Sequence, residues 1–150
     1  MKLEDTLIVV ADLGELKVYK PVKHEAIVNG GHDLKISWSL ELLTDLDYIA
    51  THKKISDIVS DKAGNFKGVN VEDNKVEDEI EKRTLKDVAA DIESVVEHEK
   101  PKKLFLAFPK EMHPSLMEEL SAETKAIITK NLQADLVKED KNKLLAHFTA

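Results

Sequence analysis

The spacing of apolar residues changes rhythm several times along this chain, and each rhythm predicts a different element. Thr6-Leu-Ile-Val-Val-Ala11 is an apolar, β-branched run that reads as a buried strand. Asp12-Leu-Gly-Glu15 follows as a turn, with Gly14 expected at positive φ. Leu16-Lys-Val-Tyr-Lys20 alternates and returns antiparallel as a hairpin. Pro21 is expected to end it, because proline has no N–H to give to a ladder. Asn29-Gly-Gly-His-Asp33 is a second turn signal. Leu34, Ile36, Trp38, Leu40 and Leu42 then fall on one face of an alternating segment, the pattern of a half-buried strand. The short apolar stretch from Leu46 to Ala50 is expected to extend the sheet or cover an edge.

From His52 to Asn74 the rhythm dissolves into Asp, Ser, Lys, Asn and Gly. A connection longer than roughly 12–15 residues inside one domain is usually functional or disordered. Val76 to Glu99 restores order as the longest predicted helix. Leu85, Val88, Ala89, Ile92, Val95 and Val96 make its core-facing stripe at helical spacing, and acidic residues crowd its first turns.

Past Pro101, Leu104-Phe-Leu-Ala-Phe108 is a continuous apolar run, predicting a central strand covered on both faces. Pro114 suits a first helical position, with Leu116, Met117 and Leu120 on one face. Ser121 is the expected N-cap of another short helix carrying Ile127 and Ile128. Leu132 to Val137 predicts a strand, and Glu139 to Phe148 a last helix with Leu144, Leu145 and Phe148 inward.

The predicted order is βββαβαβα. Three antiparallel strands followed by βα units describe an α/β domain with a mixed sheet and helices on its faces, the element order of the ribonuclease H-like architecture. No repeat or boundary divides residues 1–150, so a single domain is expected. At 150 residues the chain is long enough to bury about 70% of its unfolded surface.

Composition narrows the chemistry. A hydrophobic share of 42% and a mean hydropathy of −0.32 are ordinary for a globular protein, and no apolar run approaches the roughly 20 residues of a membrane span. The net charge of −7, from 29 acids and 22 bases, opposes non-specific nucleic-acid binding. Lys100-Pro-Lys-Lys103 is the densest basic cluster and reads first as charge set against a helix C-terminus. There is no cysteine, so disulfides, thiolate catalysis and cysteine metal sites are out. Met1-Lys-Leu-Glu-Asp5 lacks the apolar core of a signal peptide, and the expected location is the cytoplasm.

Asp12, at the end of the first strand, is the one acidic candidate for a metal ligand. Two-metal phosphoryl chemistry needs several carboxylates around ions about 4 Å apart. The strand ending Ala107-Phe108-Pro109-Lys110 supplies none, so Asp12 reads first as a turn residue. Gly30-Gly31-His32 invites comparison with the Gly-Gly-Gln tripeptide of peptide release factors, but reads first as a tight turn. The six histidines are His24, His32, His52, His98, His113 and His147, and none is paired at helical spacing. His98 and His147 fit helix C-termini. No nucleophile elbow or glycine-rich phosphate loop occurs, and no cofactor is expected. In the long connection, Ser60, Asp61, Lys62, Gly64 and Phe66 form the most site-like segment, an aromatic among small and polar residues.

These segments together resemble the bacterial host-attachment protein family. Val9-Val-Ala-Asp12 with Lys17-Val-Tyr19 resembles its opening hairpin, and Ser60-Asp-Lys-Ala-Gly64 with Phe66 its Ser-Asp-Arg-Pro-Gly-x-x-Phe motif. Residues 104–148 resemble its closing strand–helix units. Ala63 and Phe108 stand where that family has prolines. The resemblance implies a role in attachment to host cells without implying a catalytic activity. It also implies likeness to the middle domain of archaeal and eukaryotic release factors, which has the ribonuclease H-like order.

Three functional readings follow. The first is a non-enzymatic cytoplasmic adaptor with an unidentified protein partner, its contact surface around Gly64 and Phe66. The second is a release-factor-like protein docking on the ribosome or RNA. The third is a divalent-metal phosphoesterase using Asp12. No membrane partner is expected, and the sequence sets no oligomeric state.

Overall fold

A computed structural model describes residues 3–48 and 71–149, with side chains from Glu79 onward in the long helix. β1 (Thr6–Ala11) and β4 (Lys103–Phe108) form the middle of a five-stranded mixed sheet. β2 (Glu15–Val28) and β3 (Asp33–Asp47) lie on one side, and β5 (Ile128–Gln133) on the other. The spatial order is β3-β2-β1-β4-β5. β1, β2 and β3 are antiparallel neighbours, whereas β4 runs parallel to both β1 and β5.

The helices are α1 (Val71–Glu99), α2 (His113–Glu119), α3 (Ala122–Ile127) and α4 (Lys141–Thr149). The observed order is βββαβααβα: the short helices read at Pro114 and after Ser121 both form between β4 and β5, as two separate helices that the predicted order counts as one. Ser121 is the reason: its hydroxyl accepts the Thr124 N–H at 3.1 Å and starts a new helix directly after α2.

The sheet carries a hydrophobic layer on each face. Leu7, Val9, Leu16, Val18, Leu104, Leu106 and Phe108 meet Leu85, Val88, Ala89 and Ile92 of α1 and Leu116 of α2. On the opposite face, Ile8, Val10, Tyr19, Phe105 and Ala107 meet Leu144 and Phe148 of α4, with Phe105 and Phe148 stacked at 5.5 Å. Every residue of β1 is buried, and so is β4 from Leu104 to Phe108, as a strand covered twice requires. The predicted stripe of α1 is in place, with Val95 and Val96 half-buried at its end. Among the described residues, no helix is long and apolar enough to cross a membrane.

Several expectations change. β2 does not stop at Pro21 but runs on to Val28. The β1–β2 ladder ends at Ile8↔Tyr19, so Pro21 sits where β1 no longer needs a donor. Gly14 is not at positive φ; a Cβ there would stand 3.3 Å from the Asp12 carboxylate, so closeness rather than handedness suits glycine. The last strand ends at Gln133 instead of Val137, with Ile128 already in β5 rather than in the preceding helix. Val71–Asn74 belongs to α1, not to the connection before it.

The largest difference lies in the hairpin. β2 and β3 remain paired through Val28↔Asp33, forming a two-stranded arm well past the end of β1. Leu34, Ile36, Trp38, Leu40 and Leu42 do share one face, but only Leu40 is buried and Trp38 half-buried. Ile27, Leu34 and Ile36 are 73%, 58% and 50% exposed. The face continues beyond the helical cover, so most of it meets water. At the tip, Gly30 and Gly31 take φ of 68° and 95°. A bulge at the other end pairs Val18 with Thr44 but Tyr19 with Leu42, leaving Leu43 as the extra residue. Beyond it, Leu46 and Tyr48 turn to the α1 side.

Candidate functional site

The three parallel strands β1, β4 and β5 end on one edge of the sheet, where ligands of open α/β sheets usually sit. Four carboxylates gather along that edge in two pairs. Asp12, directly after β1, accepts the N–H groups of Gly14 and Glu15 through Oδ1 at 2.7 and 2.8 Å. Its own N–H goes to the Glu15 carbonyl at 2.9 Å. Those bonds close the hairpin turn, which is why Asp suits the position.

Asp135 follows β5, and its Oδ1 accepts the Val137 N–H at 3.2 Å. Burial raises its pKa above the usual carboxyl value, the Val137 bond opposes that, and hydrogen bonding and charge from Asp12 raise it further. Glu15 stands in the same relation to Asp45 on β3. The hydrogen bond from Asp45 raises the Glu15 pKa most, followed by burial and the Asp45 charge, while nearby Lys17 lowers it. Lys17 Nζ lies 3.9 Å from Glu15. Asp135 and Glu15 each retain a proton more readily than a free carboxyl does. Among the described residues, no three acidic or histidine side chains converge closely enough to hold a metal ion. The arrangement supports two pairs of neighbouring carboxyls, with Asp135 and Glu15 the members whose pKa is raised.

Two clefts flank α1. One of about 300 Å³ is lined by Leu46, Asp47, Tyr48, Asp87, Ala90 and Asp91. In it the Tyr48 hydroxyl donates to Asp91 at 2.7 Å, and burial followed by that bond pushes the phenol pKa far upward. The other, about 510 Å³, lies between the end of α1 and α3. Here Glu93 Oε1 accepts the Ser121 N–H at 2.6 Å, and Oε2 accepts both hydroxyls, from Ser121 at 3.0 Å and Thr124 at 2.6 Å. Burial works against the Glu93 charge, but the Thr124 and Ser121 bonds outweigh it and leave the pKa lowered. This carboxylate fastens α3 to α1.

The other candidates fall apart in space. His113 is buried, with Nε2 2.5 Å from Asn131 Oδ1, joining α2 to β5. His147 pairs with Glu139 at 2.9 Å near the end of α4. Gly30, Gly31 and His32 sit at the exposed tip of the arm. Lys100 closes α1 with φ 49°, donating its N–H to Val96, and Lys102 meets Asp5 at 3.8 Å. Ser60, Asp61, Lys62, Gly64, Phe66 and His52 lie outside the described residues.

Asp12 is therefore brought to Asp135, and Glu15 to Asp45, pairings the sequence reading did not anticipate. An acid just after the second parallel strand of a βαβ unit was the available signal for Asp135; β5, expected to continue to Val137, hid it. The exposed arm was also missed, although its apolar residues were read correctly as sharing a face.

Residues 7–148 match the sequence model of a family described as protein required for attachment to host cells. The chain belongs to that family. No curated protein matches it.

Proposed function

We propose that this host-attachment family member is a binding module without chemistry of its own, acting from the cytoplasm through protein contact. The observation behind the reading is the arm, where Ile27, Leu34 and Ile36 stand in water on one face. Contiguous exposed apolar side chains are costly in a soluble protein and commonly mark contact surfaces. Ser60, Asp61, Lys62, Gly64 and Phe66 belong to the proposal as a second contact element.

The test is attachment to host cells by cells producing an Ile27→Ser/Leu34→Ser/Ile36→Ser chain. Lost attachment with unchanged circular dichroism supports the reading. Attachment at the wild-type level sinks the arm as the contact surface, and Phe66→Ala then asks the same of the second element.

Two other readings each have one observation in their favour. The order β3-β2-β1-β4-β5, with three antiparallel strands and a parallel β1-β4-β5 run, supports the ribonuclease H-like label and with it a ribosome- or RNA-docking role. Co-sedimentation with ribosomes that falls steeply with salt is its expected signature. The Asp12–Asp135 pair favours a divalent-metal phosphoesterase. Calorimetry without Mg²⁺ or Mn²⁺ binding removes that reading.

A further inference from the structure

We propose that the outer edge of β3 pairs antiparallel with β3 of a second copy of this chain, in a register centred on Trp38. The proposal rests on the reading of the arm as a contact surface and names a partner for its free edge.

β3 is the terminal strand of the sheet, and among the described residues no strand pairs with its outer side. A long edge strand with unpaired N–H and C=O groups is a template for another strand unless something blunts it. From Leu34 to Leu42, β3 has neither proline nor bulge; its irregularity comes only at Leu43.

That unbroken stretch is complementary to itself. With Trp38 on the two-fold axis, Lys35 falls opposite Glu41 of the second copy, and Glu41 opposite Lys35. On the other face Leu34 meets Leu42, and Ile36 meets Leu40. Ser37 meets Ser39. A symmetric interface requires this reciprocity, in which residue i contacts j and j contacts i. Shifting the centre by one residue toward the tip sets Asp33 against Glu41. Shifting it by one the other way sets Lys35 against the bulged Leu43. The half-integral centres on either side place Leu34 or Ile36 against Glu41. The register on Trp38 alone matches both charge and polarity. It also gives exposed Leu34 and Leu42 apolar neighbours and joins the two stripes into one band across a continuous sheet.

Sedimentation velocity over a concentration series, on the whole chain, tests the proposal. The wild type is expected to form a dimer. Lys35→Glu, which faces only Ala26 within its own chain, sets like charges opposite each other twice per dimer. It should weaken the dimer by about tenfold. Lys35→Glu/Glu41→Lys restores the attraction and should recover most of the loss. Trp38 is the only tryptophan, so its emission should shift on dilution with the same midpoint.

A wild type that stays monomeric overturns the proposal, as does a dimer indifferent to Lys35→Glu or one the double swap fails to rescue. A monomer would leave the attachment test of the Ile27/Leu34/Ile36 variant to decide the binding reading on its own. Circular dichroism of each variant separates lost pairing from lost folding.

Discussion

The centre of the sheet and the distal half of its hairpin are built from similar residues and live in opposite surroundings. β1 and β4 carry Leu, Ile, Val and Phe between two layers of helices, and nearly all of these side chains are buried. The arm carries Ile27, Leu34 and Ile36 where α4 no longer reaches, and they face water. Burying an aliphatic or aromatic side chain fully is worth about 1.5–3 kcal/mol. The centre collects that stabilisation, while the arm leaves it available to whatever covers it.

The comparison breaks most sharply under truncation. Phe108→Ala, at a fully buried position, should lower unfolding free energy by about 3–5 kcal/mol in urea titration. Ile27→Ser should stay within about 0.5 kcal/mol when measured at concentrations that keep the chain monomeric. A large loss at Ile27 would mean that the arm is covered after all.

Next in size is the fastening of α3 to α1. Glu93→Ala removes the acceptor of three hydrogen bonds, and half-exposure tempers the cost to about 1–2 kcal/mol. The lowered Glu93 pKa fixes the sign with pH. Its contribution is present above the ordinary value of 4.5 and disappears as pH falls through the lower folded-state value. The variant's deficit should therefore shrink in acid.

Tyr48→Phe should cost about 1 kcal/mol by removing the hydroxyl donated to Asp91, measured by thermal unfolding. The smallest effects belong to the carboxylate pairs, and they have the opposite sign. The raised pKa of Glu15 gives stability that is complete below 4.5 and lost as pH climbs through the folded-state value. Glu15→Gln should thus raise the melting temperature slightly at pH 7 and flatten its pH dependence. A lower melting temperature at pH 7 would show that the Glu15–Asp45 contact is not repulsive there.

These contrasts explain what the sequence made legible. Leu104–Phe108 reveals its double cover because a run without alternation has no polar face to offer water. Ser121 reveals its role because a hydroxyl before a helix satisfies a specific N–H. Alternation from Leu34 to Leu42 is less informative: it tells which side each residue faces, not whether another element lies on that side. The end of the cover depends on where α4 falls, and α4 comes a hundred residues later in the chain. Asp12 was visible as a turn residue for local reasons, whereas its meeting with Asp135 depends on the placement of β5 beside β4.

The bulge at Leu43 makes the chain's length, at one point, as decisive as its composition. On its tip side the even-numbered residues of β3 belong to the α4 layer; on its other side Thr44 and Leu46 belong to the α1 layer. One inserted residue thus resets the phase of the strand and lets a single alternating pattern serve two cores. Deleting Leu43 would remove only one aliphatic side chain, yet it would force one half of β3 to present the wrong side to its neighbours. Insertions and deletions here act as inversions of polarity, while substitutions at the same residue change little more than a half-exposed surface.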